Sequence, residues 1–124
     1  MDVKRGFSLS ARMRGFRFAF EGLWFVLKTQ HNAWLHVAAA VLACALGLSL
    51  GISRWDWMWL VFAICLVWIA EILNTAFEHL CDVVSPQMSH SVKRAKDVAA
   101  GAVLIAAAGA LVIGGLIFLP YLTK

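Results

Sequence analysis

Glu71, Asn74, Glu78 and Asp82 place three carboxylates and an amide in a stretch, Trp68-Ile-Ala-Glu71-Ile-Leu-Asn74-Thr-Ala-Phe-Glu78-His-Leu-Cys-Asp82, that otherwise reads as membrane-spanning. On a helix these positions are i, i+3, i+7 and i+11, which form one stripe. An ionised side chain in hydrocarbon costs several kcal/mol, so such residues face a protein interior or a polar cavity. Carboxylates at a membrane surface suit Mg²⁺, which takes oxygen ligands and is often held by one or two carboxylates plus substrate phosphates. A deeper carboxylate, its pKa raised by burial, can act as a general base toward a lipid hydroxyl. The plainer reading is that the stripe pairs with basic groups on neighbouring helices and holds a bundle together.

The elements that must position this stripe follow from hydropathy. The chain has 124 residues, is 62% hydrophobic and has a mean hydropathy of +0.80. It is too apolar for a soluble domain and long enough for about three spans of roughly 20 residues. The net charge of +4 does not argue for nucleic acid, because 9 of the 11 Lys and Arg lie in residues 4–28 and 93–96. That distribution follows the positive-inside rule and predicts a cytoplasmic N-terminus.

From about residue 8 to 30, Ser10, Arg14, Arg17, Glu21 and Lys28 share one helical side and Phe16, Phe20, Leu23 and Leu27 another. This predicts a basic amphipathic helix on the membrane surface. Spans are expected at about 33–50, 57–82 and 97–119, the last stopping at Pro120. The whole chain, 1–124, reads as a single membrane-embedded domain. Trp55, Trp57 and Trp59 mark the far interface. Fourteen uncharged residues precede Glu71 in its span. Glu71 is therefore about 20 Å from the far end of a core about 30 Å thick, with Glu78 about 10 Å further along. Residues 83–90, with Ser85-Pro86, form a linker, and Lys96-Asp97 return at the depth of Glu78. Ala102, Ala106, Ala110 and Gly114 recur at spacing four as a helix-packing face.

The sequence contains no GxxxxGK[ST], GxGxxG or HExxH motif. Cys44, Cys65 and Cys81 lack metal-ligand spacing and read as packing residues. His31, His36, His79 and His90 read as hydrogen-bonding residues near the interfaces rather than as phosphohistidine sites.

Ala70-Glu71-Ile-Leu-Asn74-Thr-Ala-Phe-Glu78, then Asp82, Ser85-Pro86 and Ala95-Lys96-Asp97-Val-Ala-Ala-Gly101-Ala-Val-Leu, resemble the prokaryotic diacylglycerol kinase and undecaprenol kinase family. The likeness runs from about Arg14 to Pro120. It implies an all-α membrane protein, a surface helix plus three transmembrane helices, assembled as a homotrimer with composite sites between subunits. The implied reaction moves the γ-phosphate of MgATP to a lipid alcohol. By resemblance Glu71 is the catalytic base, and Glu71, Asn74 and Ala100 meet the lipid substrate. Glu78 and Gln30 fall at metal positions. Arg14, Phe18, Gln30, Glu78, Gln87, Met88, Ser89, Lys96 and Asp97 fall at nucleotide positions. Gln30 stands where some members carry Glu, and an amide can ligate Mg²⁺ without supplying charge. Trp34 stands where compared members carry Arg, and Ala33 replaces an aromatic.

Two other classes stay open on the residues alone. A small oligomeric transporter could use Glu71 as an intramembrane carrier of protons or cations. A non-catalytic assembly subunit could use the charges only to specify its partners. The choice between diacylglycerol and undecaprenol is open at this stage, since both present a hydroxyl at the interface.

Overall fold

The computed structural model describes residues 6–124 and contains four helices: α1 (Leu9–Thr29), α2 (His31–Leu50), α3 (Arg54–Val84) and α4 (His90–Leu122). Three begin at serine caps. Ser8 Oγ accepts from the Ala11 N–H, Ser53 Oγ from Asp56 and Ser89 Oγ from Val92, each satisfying a donor that the first helical turn leaves free. The break between α1 and α2 is a single extended residue, Gln30 (φ −107°, ψ 114°). Gly51 ends α2 in the left-handed region at φ 61°, where glycine carries no Cβ penalty.

α2, α3 and α4 are each long and apolar enough to cross a membrane. With 31 and 33 residues, α3 and α4 run about 46 and 50 Å, well beyond a hydrocarbon core of about 30 Å. Their polar ends, including Asp56 and Lys96, therefore project past the apolar runs. Helix α4 starts at His90, because Ser89 caps it there, and takes Lys93 and Lys96 into its first turns. Pro120 lies inside the last turn of α4 rather than at its end. A proline there lacks the N–H that would bond to the preceding turn, and the Thr123 N–H still reaches the Leu119 carbonyl at 3.1 Å.

The longest packing interface joins α3 to α4, and α2 leans against both. At the end carrying the α2–α3 turn, Ile52, Leu60 and Ile117 form a buried cluster with Trp57, Phe118 and Tyr121 packed around it. Gly47 permits this approach, since a Cβ there would lie 3.0–3.1 Å from Ile52 and the Trp57 ring. The Tyr121 hydroxyl donates to Asp56 Oδ2 at 2.6 Å and accepts from the Ser53 N–H at 3.1 Å. Ser53 Oγ donates to the same carboxylate at 2.8 Å. These bonds tie the turn to the end of α4. On the small-residue face of α4, Ala106 is buried, and Ala110 and Gly114 line a groove with Ala39, Ala40 and Ala43 of α2. Leu104, Ile105, Leu111 and Leu116 point outward, as hydrocarbon favours.

Candidate active site

The carboxylate stripe of α3 lies between the packed turn end and the loop that joins α3 to α4. Glu71 is its deepest member and only 2% exposed. Its Oε2 lies 3.3 Å from His36 Nε2 on α2, and the His36 ring meets the Trp68 ring edge-on. Thr75, equally buried, donates its hydroxyl to the Glu71 carbonyl at 2.9 Å, which satisfies a polar side chain inside an apolar helix. Asn74 Nδ2 donates to Glu78 Oε1 at 3.2 Å, one turn nearer the loop. Asn74 Oδ1 is buried without a hydrogen-bond partner, which leaves an acceptor for an incoming group.

Beyond Glu78 the stripe meets α4. Lys96 Nζ donates to Asp82 Oδ1 across the two helices. That hydrogen bond raises the Lys96 pKa above the usual lysine value; partial desolvation opposes it, and the Asp82 and Glu78 charges add to the rise. Lys96 therefore sits within the field of Glu78. Asp97 turns elsewhere and accepts from Lys93 at 2.6 Å, one turn back on α4. Adjacent residues on a helix point about 100° apart, so Lys96 and Asp97 reach different partners.

The structure brings together Glu71, Asn74, Glu78, Asp82 and Lys96, and adds His36. It leaves other candidates apart within a single chain. Arg14 and Phe18 are exposed on α1. α1 touches α3 chiefly at its C-terminal end, where Phe25 meets the His79 ring at 5.0 Å. Gln30 Nε2 bonds to neighbouring Thr29 Oγ1 at 3.4 Å. In the loop, Ser89 caps α4, the Gln87 carbonyl accepts from Ser85 Oγ at 3.0 Å, and Met88 is exposed. Ala100 faces outward from α4. The His36 contact escapes sequence reasoning because it joins residues 35 positions apart through a helix crossing.

Among the described residues no group of three or more His, Cys, Asp and Glu gathers as a metal cluster. The Asn74–Glu78 pair nonetheless fits Mg²⁺. It offers one charged and one neutral oxygen donor, the latter unpartnered, and Mg²⁺ takes few protein ligands when phosphates and water supply the others.

A family model described as prokaryotic diacylglycerol kinase matches residues 17–118. The chain is 37% identical over 114 residues to an undecaprenol kinase of Bacillus subtilis, covering 92% of this chain and 93% of that protein. It is 39% identical over 106 residues to a diacylglycerol kinase of Synechocystis sp., covering 85% of this chain and 61% of that protein.

Proposed function

Because the chain belongs to the prokaryotic diacylglycerol kinase family, we propose that it transfers the γ-phosphate of MgATP to the hydroxyl of a lipid alcohol, diacylglycerol or undecaprenol. The reaction takes place at the cytoplasmic face of the bacterial inner membrane, with the N-terminus on that side; the Lys and Arg distribution supports this orientation. One observation carries the reading. A buried carboxylate, Glu71, stands at the deep end of a stripe whose shallow end holds Glu78 beside Lys96. A lipid hydroxyl below the interface and a phosphate chain above it would meet in that order.

Glu71 takes the proton of the lipid hydroxyl as its oxygen attacks the γ-phosphorus. The bond from that phosphorus to the bridging oxygen of ADP breaks in line, so no protein nucleophile is needed. Asn74, one turn from Glu71, borders the lipid head. Lys96 supplies positive charge near the phosphates. Glu78 and Asn74 would hold Mg²⁺, with Gln30 from α1 as a neutral donor, and the ion would supply positive charge to the phosphates. Arg14, Phe18, Gln87, Met88, Ser89 and Asp97 complete the nucleotide site, and Ala100 borders the lipid. Several of these stand exposed and apart in one chain, which supports a homotrimer with composite sites between subunits of this single-domain protein. A transporter would need Glu71 but has little use for Glu78, Asp82 and Lys96 converging at the surface.

The test is phosphate transfer from γ-labelled MgATP by purified protein in mixed micelles, with diacylglycerol and undecaprenol offered in parallel. Labelled lipid phosphate on either alcohol is expected. ADP formation that ignores added lipid, or none at all with either lipid, contradicts the reading.

A further inference from the structure

A general base works only if its carboxylate is held within about 2.6–3.2 Å of the proton it removes. Glu71 has three side-chain torsions, and burial alone does not choose among them. Among the described residues, the side chain that reaches its carboxylate is His36, through Nε2 to Oε2 at 3.3 Å. The His36 ring is itself restrained. It is mostly buried, it meets the Trp68 ring edge-on at 6.2 Å, and Ala33 below it on α2 is fully buried. His36 and Trp68 also stand together on the wall of an apolar groove of about 460 Å³ between α2, α3 and α4.

We propose that His36 is the positioning residue of the base: its Nε2–H holds Glu71 Oε2, so that Oε1 is presented to the lipid hydroxyl. A neutral imidazole has one N–H donor and one bare nitrogen. Donation from Nε2 to an ionised carboxylate assigns the proton to Nε2 and leaves Nδ1 as an acceptor. The contact, at 3.3 Å, is slightly longer than the usual 2.7–3.2 Å range. His36 makes no bond to substrate in this scheme and acts only through Glu71. The inference rests on the kinase reading above.

The experiment compares His36→Leu, which keeps apolar volume but has no donor, with His36→Gln, whose amide N–H can reach the same oxygen. Both are purified beside wild type and Glu71→Gln, their assembly is checked by size-exclusion chromatography, and kcat and KM are measured for MgATP and lipid. His36→Leu is expected to lower kcat by roughly 10- to 100-fold while the KM for MgATP stays within about twofold. His36→Gln is expected to recover kcat to within about fivefold of wild type. Wild-type kcat in His36→Leu overturns the proposal, as do equal losses in the two variants. If His36→Leu does not assemble, His36→Gln decides: near-wild-type kcat supports the role, and a kcat as low as that of Glu71→Gln refutes it. A wild-type protein inactive on every lipid alcohol removes the kinase reading itself, which is a different result from an active wild type indifferent to His36.

Discussion

The two ends of the helix bundle solve opposite problems. At the turn end, Asp56 takes hydrogen bonds from Tyr121 and Ser53, and the Ile52, Leu60 and Ile117 cluster packs beneath them. Both bonds go to Oδ2, and they join the α2–α3 turn to the end of α4. At the loop end, Asn74 Oδ1 is buried with no partner, Glu78 is bonded through one oxygen to an amide, and Lys93, Asp97 and Met88 are exposed. Unspent hydrogen-bonding capacity is costly to bury, so it marks the end where a ligand completes the structure. One end holds the helices together, and the other is held ready.

That contrast predicts that substitutions at the loop end change turnover and leave stability nearly alone, with the reverse at the turn end. Glu78→Gln should raise the Mg²⁺ concentration for half-maximal rate by roughly tenfold or more. An unchanged metal titration would take Glu78 out of the metal shell. A smaller effect is expected from Tyr121→Phe, which removes one donor to Asp56 and should lower Tm by about a few degrees while kcat is preserved. Lost turnover in Tyr121→Phe at temperatures where it stays folded would break the division between the ends.

The same cluster has a pH dependence with a definite sign. The hydrogen bonds from Tyr121 and Ser53 hold the Asp56 carboxyl below its ordinary value of 3.8, against a small opposing desolvation. A carboxylate with a depressed folded-state pKa contributes stability above its unfolded value, and that contribution is lost as pH falls through the folded value. Thermal stability of the wild type should therefore fall as pH drops below about 4. The fall should be shallower in Tyr121→Phe, where Asp56 has less to lose. Parallel acid curves for the two proteins would detach Asp56 from the clamp.

Much of this was legible in the sequence because the signals are local. Charge-free runs mark the three spans, and a 3.6-residue period puts Glu71, Asn74 and Glu78 on one stripe of α3, where the structure has them. Serine caps are likewise local, although Ser89 starts α4 well before its apolar run begins. Contacts between helices were not legible. The pairing of His36 with Glu71, of Lys96 with Asp82, and of Tyr121 with Asp56 depends on crossing angles and depth, which no short window encodes. Lys96-Asp97 reads as one unit in sequence, yet helical geometry sends the two side chains to different partners.

The most direct measurement is lipid-dependent phosphate transfer per assembled protein in Glu71→Gln against wild type. Removing a general base while keeping the side-chain shape should cost about 10²- to 10⁴-fold in kcat, with size-exclusion profile and Tm close to wild type. Turnover retained in an assembled Glu71→Gln protein would contradict the account, because the buried carboxylate would then serve the fold rather than the reaction.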